Sequence, residues 1–203
     1  MKQARNATLK TDKMPYYALQ VWTGDEEHYL AGARRGLENT ESRLLWPRRS
    51  LRIRRSGRWQ ESLAPIFSSY IFLQAPDVSP ELFAVLKRQP GFVRFLLSND
   101  NIVSLDRKDQ DLLSHFLSFG EIVEKSVAYF DENKRIRVVT GPLKNLEGKI
   151  VRVDRRKGRA RVRLEMYENS FEVDFGFEAL EGAPPPAATT AASTPVPPAP
   201  PPR

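Results

Sequence analysis

The sequence predicts an α+β domain followed by a small all-β barrel. Up to about residue 119, segments that alternate with period two mix with segments of helical spacing, in the order β-α-β-β-β-α-β-α. That order suits helices laid against a mostly antiparallel sheet. From residue 132 only short strand-like runs between sharp turns remain, the pattern of a small barrel. Residues 183–203 are almost wholly Pro, Ala and Thr, and residues 1–14 are polar. Neither end has the apolar side chains to offset the entropy of ordering, so both are expected to be disordered. The expected division is a first domain over 15–119, a linker over 120–131 and a barrel over 132–182.

The first strand is expected at Tyr16 to Trp22, with Tyr17, Leu19 and Val21 on one face and Tyr16, Ala18, Gln20 and Trp22 on the other. Thr23 and Glu26 have capping-box spacing and open a helix striped by Tyr29, Leu30, Ala33 and Leu37. Arg43 to Ile53 and Trp59 to Leu63 read as strands joined around Ser56-Gly57, a hairpin signal. Phe67 to Leu73 is the most apolar run of this half and is expected to be a central strand. Its Phe67, Ser69, Ile71 and Leu73 face one way and Tyr70 and Phe72 the other. Helices on one side require only one apolar face, so a second apolar face calls for cover by another domain or by a partner. Ser79-Pro80 gives the N-cap and first residue of a second helix. Pro90-Gly91 ends it before a strand at Phe92 to Leu97. Ser104 or Asp106 caps a third helix carrying Leu112, Leu113, Phe116 and Leu117. In the barrel, strands are expected at Arg135 to Thr140, Gly148 to Asp154, Arg159 to Met166 and Ser170 to Phe175.

A net charge of +7 and a pI near 9.8 favour a polyanionic partner. Cysteine is absent and only His28 and His115 could serve as imidazole ligands, so neither a disulfide framework nor a zinc site is expected. No apolar run reaches membrane-spanning length and the N-terminus lacks the apolar core of a secretion signal. A monomeric cytoplasmic protein without a membrane partner is the expectation. Catalysis finds no support: there is no Gly-rich phosphate loop, cysteine nucleophile or His-Glu-x-x-His motif, and no metal or other cofactor is expected.

The cations cluster in two places. Between Lys134 and Arg163 stand twelve, opposed only by Glu147 and Asp154. In the strand Arg159 to Leu164, Arg159, Arg161 and Arg163 share one face about 6.6 Å apart, a row that could track phosphates. Arg155, Arg156 and Lys157 add three charges at the preceding turn, with Lys144, Lys149 and Arg152 nearby. Six acids and no base follow from Glu165 to Glu181, and cross-strand pairing with them would blunt the row. The second cluster is Arg48, Arg49, Arg52, Arg54, Arg55 and Arg58, flanked by Trp46 and Trp59. Cations beside aromatics suit nucleic acid, unless the tryptophans simply pack into the sheet.

The two-domain order resembles the NusG family of transcription factors. Val138 to Asp154, VVTGPLKNLEGKIVRVD, resembles that family's KOW domain, with Gly141-Pro142 and Gly148 at its turn positions. YYALQVWTGDEEHY, IFSSYIFLQ and QPGFVRFL resemble its NGN domain, apart from Ser68-Ser69 where the family commonly has Pro-Gly. The run VRVDRRKGRARVRLEMYE is most like the specialised antiterminator paralogue LoaP. Met166-Tyr167-Glu168-Asn169 replaces the Phe-Gly-Arg loop of the housekeeping factor. The resemblance implies an NGN domain that binds the clamp helices of RNA polymerase through Phe67, Tyr70 and Phe72, with Pro90 and Phe92 nearby. It also implies an Arg52, Arg54, Arg55 and Arg58 hairpin towards upstream DNA, and a KOW domain that binds a hairpin in nascent RNA through Lys144, Lys149, Arg152, Arg155, Arg156, Lys157, Arg159, Arg161 and Arg163. The alternatives are a general elongation factor whose KOW domain binds proteins, and a ribosomal or ribonucleoprotein component.

Overall fold

A computed structural model describes residues 14–167 and 169–181. The ends expected to be disordered lie outside those residues, Met14 excepted. The first domain holds β1 (Tyr16–Val21), α1 (Glu26–Gly36), β2 (Arg43–Leu45), β3 (Arg48–Arg55), β4 (Arg58–Pro65), β5 (Tyr70–Gln74), α2 (Pro80–Arg88), β6 (Phe92–Phe95) and α3 (Arg107–Leu117). β7 (Ile122–Val123) and β8 (Ser126–Phe130) follow, then β9 (Ile136–Thr140), a 3₁₀ turn (Glu147–Lys149), β10 (Ile150–Asp154), β11 (Arg159–Met166) and β12 (Asn169–Ala179).

The element order follows the periodicities, with local departures. The strand expected at Arg43 to Ile53 is two, β2 and β3, which belong to different sheets. The expected strand from Phe67 begins only at Tyr70, because Ser69 takes a left-handed turn (φ 69°) before it. The capping box does not form: Asp25 occupies the N-cap of α1 without a side-chain cap. Glu26 is buried instead, and its two carboxylate oxygens accept the backbone N–H groups of Gly24 and Ser69 at 2.8 and 2.9 Å. The stretch 120–131, expected as a linker, holds two strands. β7 pairs in parallel with β3, and β8 pairs in parallel with β12 and antiparallel with β9. α2 and α3 start as expected, with Ser79 accepting from Leu82 N–H and Asp106 from Asp109 N–H.

Among the described residues three sheets result. β2-β5-β1-β6 form an antiparallel sheet, β4-β3-β7 a second and β10-β11-β12-β8-β9 the barrel sheet. The barrel's Gly-Pro turn has a steric cause. Gly141 has φ +100°, and a Cβ there would stand 2.6 Å from Ser126 Cα. That close approach lets the buried Ser126 hydroxyl accept the Leu143 N–H at 2.9 Å, a position only glycine fills without strain.

The central sheet buries both faces. Tyr17, Leu19, Val21, Ile71 and Leu73 pack with Tyr29, Leu30 and Ala33 of α1 and Leu86 of α2. On the opposite face, Tyr16, Ala18 and Phe72 join Leu112, Leu113 and Phe116 of α3 in a cluster that continues into the barrel through Ala160, Val162, Leu164, Val173, Phe175 and Phe177. The cover required by the second apolar face is therefore intramolecular, and the two domains share one core.

Candidate functional site

The apolar residues expected to act together occupy two different places. Phe67 and Phe72 are fully buried and meet edge-on at 5.5 Å, and the half-buried Tyr70 lies beside them. Phe171 of β12 stands edge-on to Phe67 at 5.6 Å and to Tyr70 at 6.0 Å, and Phe116 stacks on Phe175 at 5.4 Å. Phe92 faces the other way, packed with Tyr29, Phe83 and Phe95 under the helices, while Pro90 is exposed. A register shift between Gln20 and Val21 causes the separation. It sets Phe95 opposite Leu19 and Phe92 opposite Val21, which puts both rings on the helix side. A bulge re-aims a side chain in this way and leaves no mark in the spacing.

Polar contacts frame the aromatic seam. Asp109 of α3 is buried, and its Oδ2 accepts the Tyr167 N–H at 2.8 Å. Burial raises the Asp109 pKa above the usual carboxylate value, against the lowering effect of that N–H and with a further rise from Asp106. His115 Nε2 donates to the Pro142 carbonyl at 2.8 Å, and Lys108 reaches Glu165 at 3.1 Å. The composition of the sequence singled out none of these partners. The one available signal was the alternation of Phe171, Val173, Phe175 and Phe177 along β12.

The arginine row on β11 is largely spoken for. Arg161 makes a two-pronged pair with Asp174 at 2.7 and 3.1 Å, and Arg163 meets Glu172 at 3.0 Å, each directly across the β11–β12 register. The Arg161 hydrogen bond is the main reason that the Asp174 carboxyl sits below its ordinary value. Arg159 donates to the Arg52 carbonyl across the domain seam. Lys144 Nζ donates to the Val138 carbonyl at 3.0 Å. Lys149, Arg152 and the turn residues Arg155, Arg156 and Lys157 remain exposed.

The hairpin cluster also divides. Arg48 lies 4.7 Å above the ring of Trp46, which is buried in the core. Arg49 donates to the carbonyls of Asp174 and Pro65, and burial brings its guanidinium down to about 10. Arg49 thereby ties the hairpin to the barrel. Arg52, Arg54, Arg55 and Arg58 are exposed at the other end, where Arg52 lies 5.5 Å above the half-open Trp59 ring. One tryptophan is therefore core and the other surface. Among the described residues no group of His, Asp or Glu is placed to hold a metal, and no helix is long and apolar enough to cross a membrane.

Comparison with known proteins gives consistent matches over both domains. The family model for "Transcription termination factor nusG" matches residues 14–113, and the KOW motif matches 132–165. Among curated relatives, the transcription termination/antitermination protein NusG of Thermus thermophilus is 24% identical over 177 residues, 79% of this chain and 95% of the relative. The Pasteurella multocida protein of the same name is 21% identical over 180 residues, 86% of this chain and 98% of the relative. Among solved structures, one described as "Domain interaction in Thermotoga maritima NusG" has a TM-score of 0.53 at 16% identity, covering 80% of this chain and 93% of that one.

Proposed function

The chain belongs to the NusG family of transcription termination/antitermination factors, and from that premise we propose that it contacts RNA polymerase through the sheet face bearing Phe67, Tyr70 and Phe72. The observation that carries this reading is the origin of the cover on that face. α3 belongs to the first domain, but Phe171 and Phe175 belong to the barrel. An apolar surface whose cover is a separate folding unit can be presented to a partner without unfolding the sheet. The packed form is then the resting form, and polymerase competes with the barrel for Phe67 and Tyr70. Such competition weakens apparent affinity by the fraction of molecules that are open.

Nascent RNA is the proposed partner of the released barrel, through Lys149, Arg152, Arg155, Arg156 and Lys157, in the manner of a LoaP-type antiterminator acting in the cytoplasm. The hairpin tip with Arg54, Arg55 and Arg58 would face upstream DNA. A second reading is favoured by one observation: Asp174 and Glu172 neutralise Arg161 and Arg163, which leaves a barrel face better suited to a protein partner, as in a general elongation factor.

The test is binding of the full chain to purified core RNA polymerase. Phe171→Ala should tighten binding by loosening the cover. Adding Tyr70→Ala in that background should weaken it about tenfold or more, as expected for an aromatic anchor. Unchanged affinity in both variants sinks the assignment. For the barrel, hairpin RNA binding that falls steeply with salt supports nucleic acid, because phosphate contacts release counterions. A flat salt response favours the protein partner.

A further inference from the structure

The seam between the two domains holds a cavity walled by both. About 420 Å³ opens between the β3–β4 hairpin and the β10–β11 turn, lined by Arg52 and Trp59 from the first domain and by Arg155, Arg156 and Lys157 from the barrel, with Lys125 between them. Gly176, Phe177, Glu178 and Ala179 of β12 complete the lining. The two basic clusters of the sequence, about a hundred residues apart in the chain, thus converge on one space.

The charges there are unequally compensated. Lys125 is held by Glu61 at 3.1 Å and Glu178 at 3.7 Å, and Lys157 leans on Asp154 at 3.8 Å. Arg52, Arg155 and Arg156 have no carboxylate partner among the described residues. Two of these guanidinium groups are held in place by rings, Arg155 at 3.7 Å over Phe130 and Arg52 at 5.5 Å over Trp59. Converging, pre-oriented guanidinium forks bind phosphate oxygens two at a time, and a concave wall focuses their field. Trp59, 44% exposed, adds a ring on which a base can stack. The volume is in the range of sites that take a small organic molecule.

We propose that this interdomain cleft binds a nucleotide unit of single-stranded nucleic acid, its phosphate on Arg52, Arg155 and Arg156 and its base on Trp59. Because the walls come from different domains, a bound strand holds the domains together. By linkage, whatever opens the domains expels the strand, and the strand opposes opening to the same degree. The consequence for polymerase, that free single strands keep the factor in its resting form, rests on the reading given above; the cleft itself does not.

The test uses the full chain without polymerase, with fluorescent hexauridylate titrated by anisotropy at low salt. Arg52→Glu and Arg156→Glu, one from each wall, should each weaken binding about tenfold or more, the loss expected for a charge-assisted contact. Phe171→Ala, which loosens the seam without touching the cleft, should weaken it too. Bound hexauridylate should also slow amide exchange along β12. Hexathymidylate bound with the same dependence on both arginines supports a strand site without sugar preference. Inorganic phosphate competing as well as the oligonucleotide reduces the site to an anion hole and overturns the base contact. Sensitivity to Arg156→Glu alone overturns the two-walled site. Absence of binding overturns the proposal outright and leaves the polymerase contact to its own measurement.

Discussion

The two faces of the central sheet are equally dry but not equally owned. Ile71 and Leu73 on one face and Phe72 on the other are all fully buried. The first face is covered by α1 and α2, helices that follow β1 and β5 directly in the chain. The second is covered partly by α3 and partly by β12, about a hundred residues further on. Burial alone therefore does not report what a residue does. Cover supplied by neighbouring helices goes only when the domain unfolds. Cover supplied by a second domain can be exchanged for another partner at the cost of the seam alone.

The largest expected effect lies on the helix-covered face. Leu73→Ala should destabilise the first domain by about 2–5 kcal/mol, the cost of a large-to-small change in a packed core, read by denaturant unfolding. Phe171→Ala should cost less, and differently. Amide exchange should rise around Tyr70 and α3 while β1 and α1 keep their protection, the signature of sub-global opening. If both variants unfold the chain in one cooperative step, the distinction between the two faces collapses.

Acidity should sharpen the comparison, because two aspartates respond in opposite senses. Asp109 at the seam has a raised pKa, chiefly from burial. Its contribution is full below the ordinary value of 3.8 and is lost as pH rises through the raised value, since over that interval the closed form holds a proton that the unfolded chain has released. Asp174 in the barrel has a lowered pKa, chiefly from its Arg161 hydrogen bond, so its contribution is present above 3.8 and is lost as pH falls through the lowered value. Asp109→Asn keeps an oxygen for the Tyr167 N–H and should remove the seam's part of the pH dependence, measured as exchange of the Tyr167 amide. The smallest effect is expected at Ser69, whose left-handed backbone (φ 69°) favours glycine. Ser69→Gly relieves roughly 1 kcal/mol of strain but loses the 2.6 Å contact with Thr23 and adds freedom to the unfolded chain. Its melting temperature should stay within a few degrees of the parent's.

What the sequence made legible was local. The alternation in Tyr16 to Val21 and at Tyr70 to Leu73 assigned both faces correctly, because a strand's period is fixed by its own pleat. It also required a cover for the second face. It could not identify that cover, since nothing in a strand encodes which distant segment lies across from it. β8 was missed as well, although Ser126 to Phe130 pairs with the adjacent β9 in addition to the distant β12. Glu26 sits at the capping-box spacing from Thr23, yet its carboxylate is drawn to the orphan N–H of Ser69, a residue brought close only by the fold. Phe92 lies with Phe95 on the helix side and not beside Phe72, because the register against β1 shifts between Gln20 and Val21. The Arg161 and Arg163 pairs were anticipated in kind from the acidic run after Glu165; their register with Asp174 and Glu172 had to be seen.

The short connection between the domains has a kinetic meaning. Only residues 118–125 separate α3 from β8, and β7 within them is clipped to β3. Even with that clip undone, eight residues extend about 28 Å at most. The barrel on so short a leash experiences its docking face at an effective concentration on the order of millimolar. A seam of modest intrinsic strength therefore recloses quickly, and a partner that opens it must hold the exposed face tightly or occupy the barrel as well.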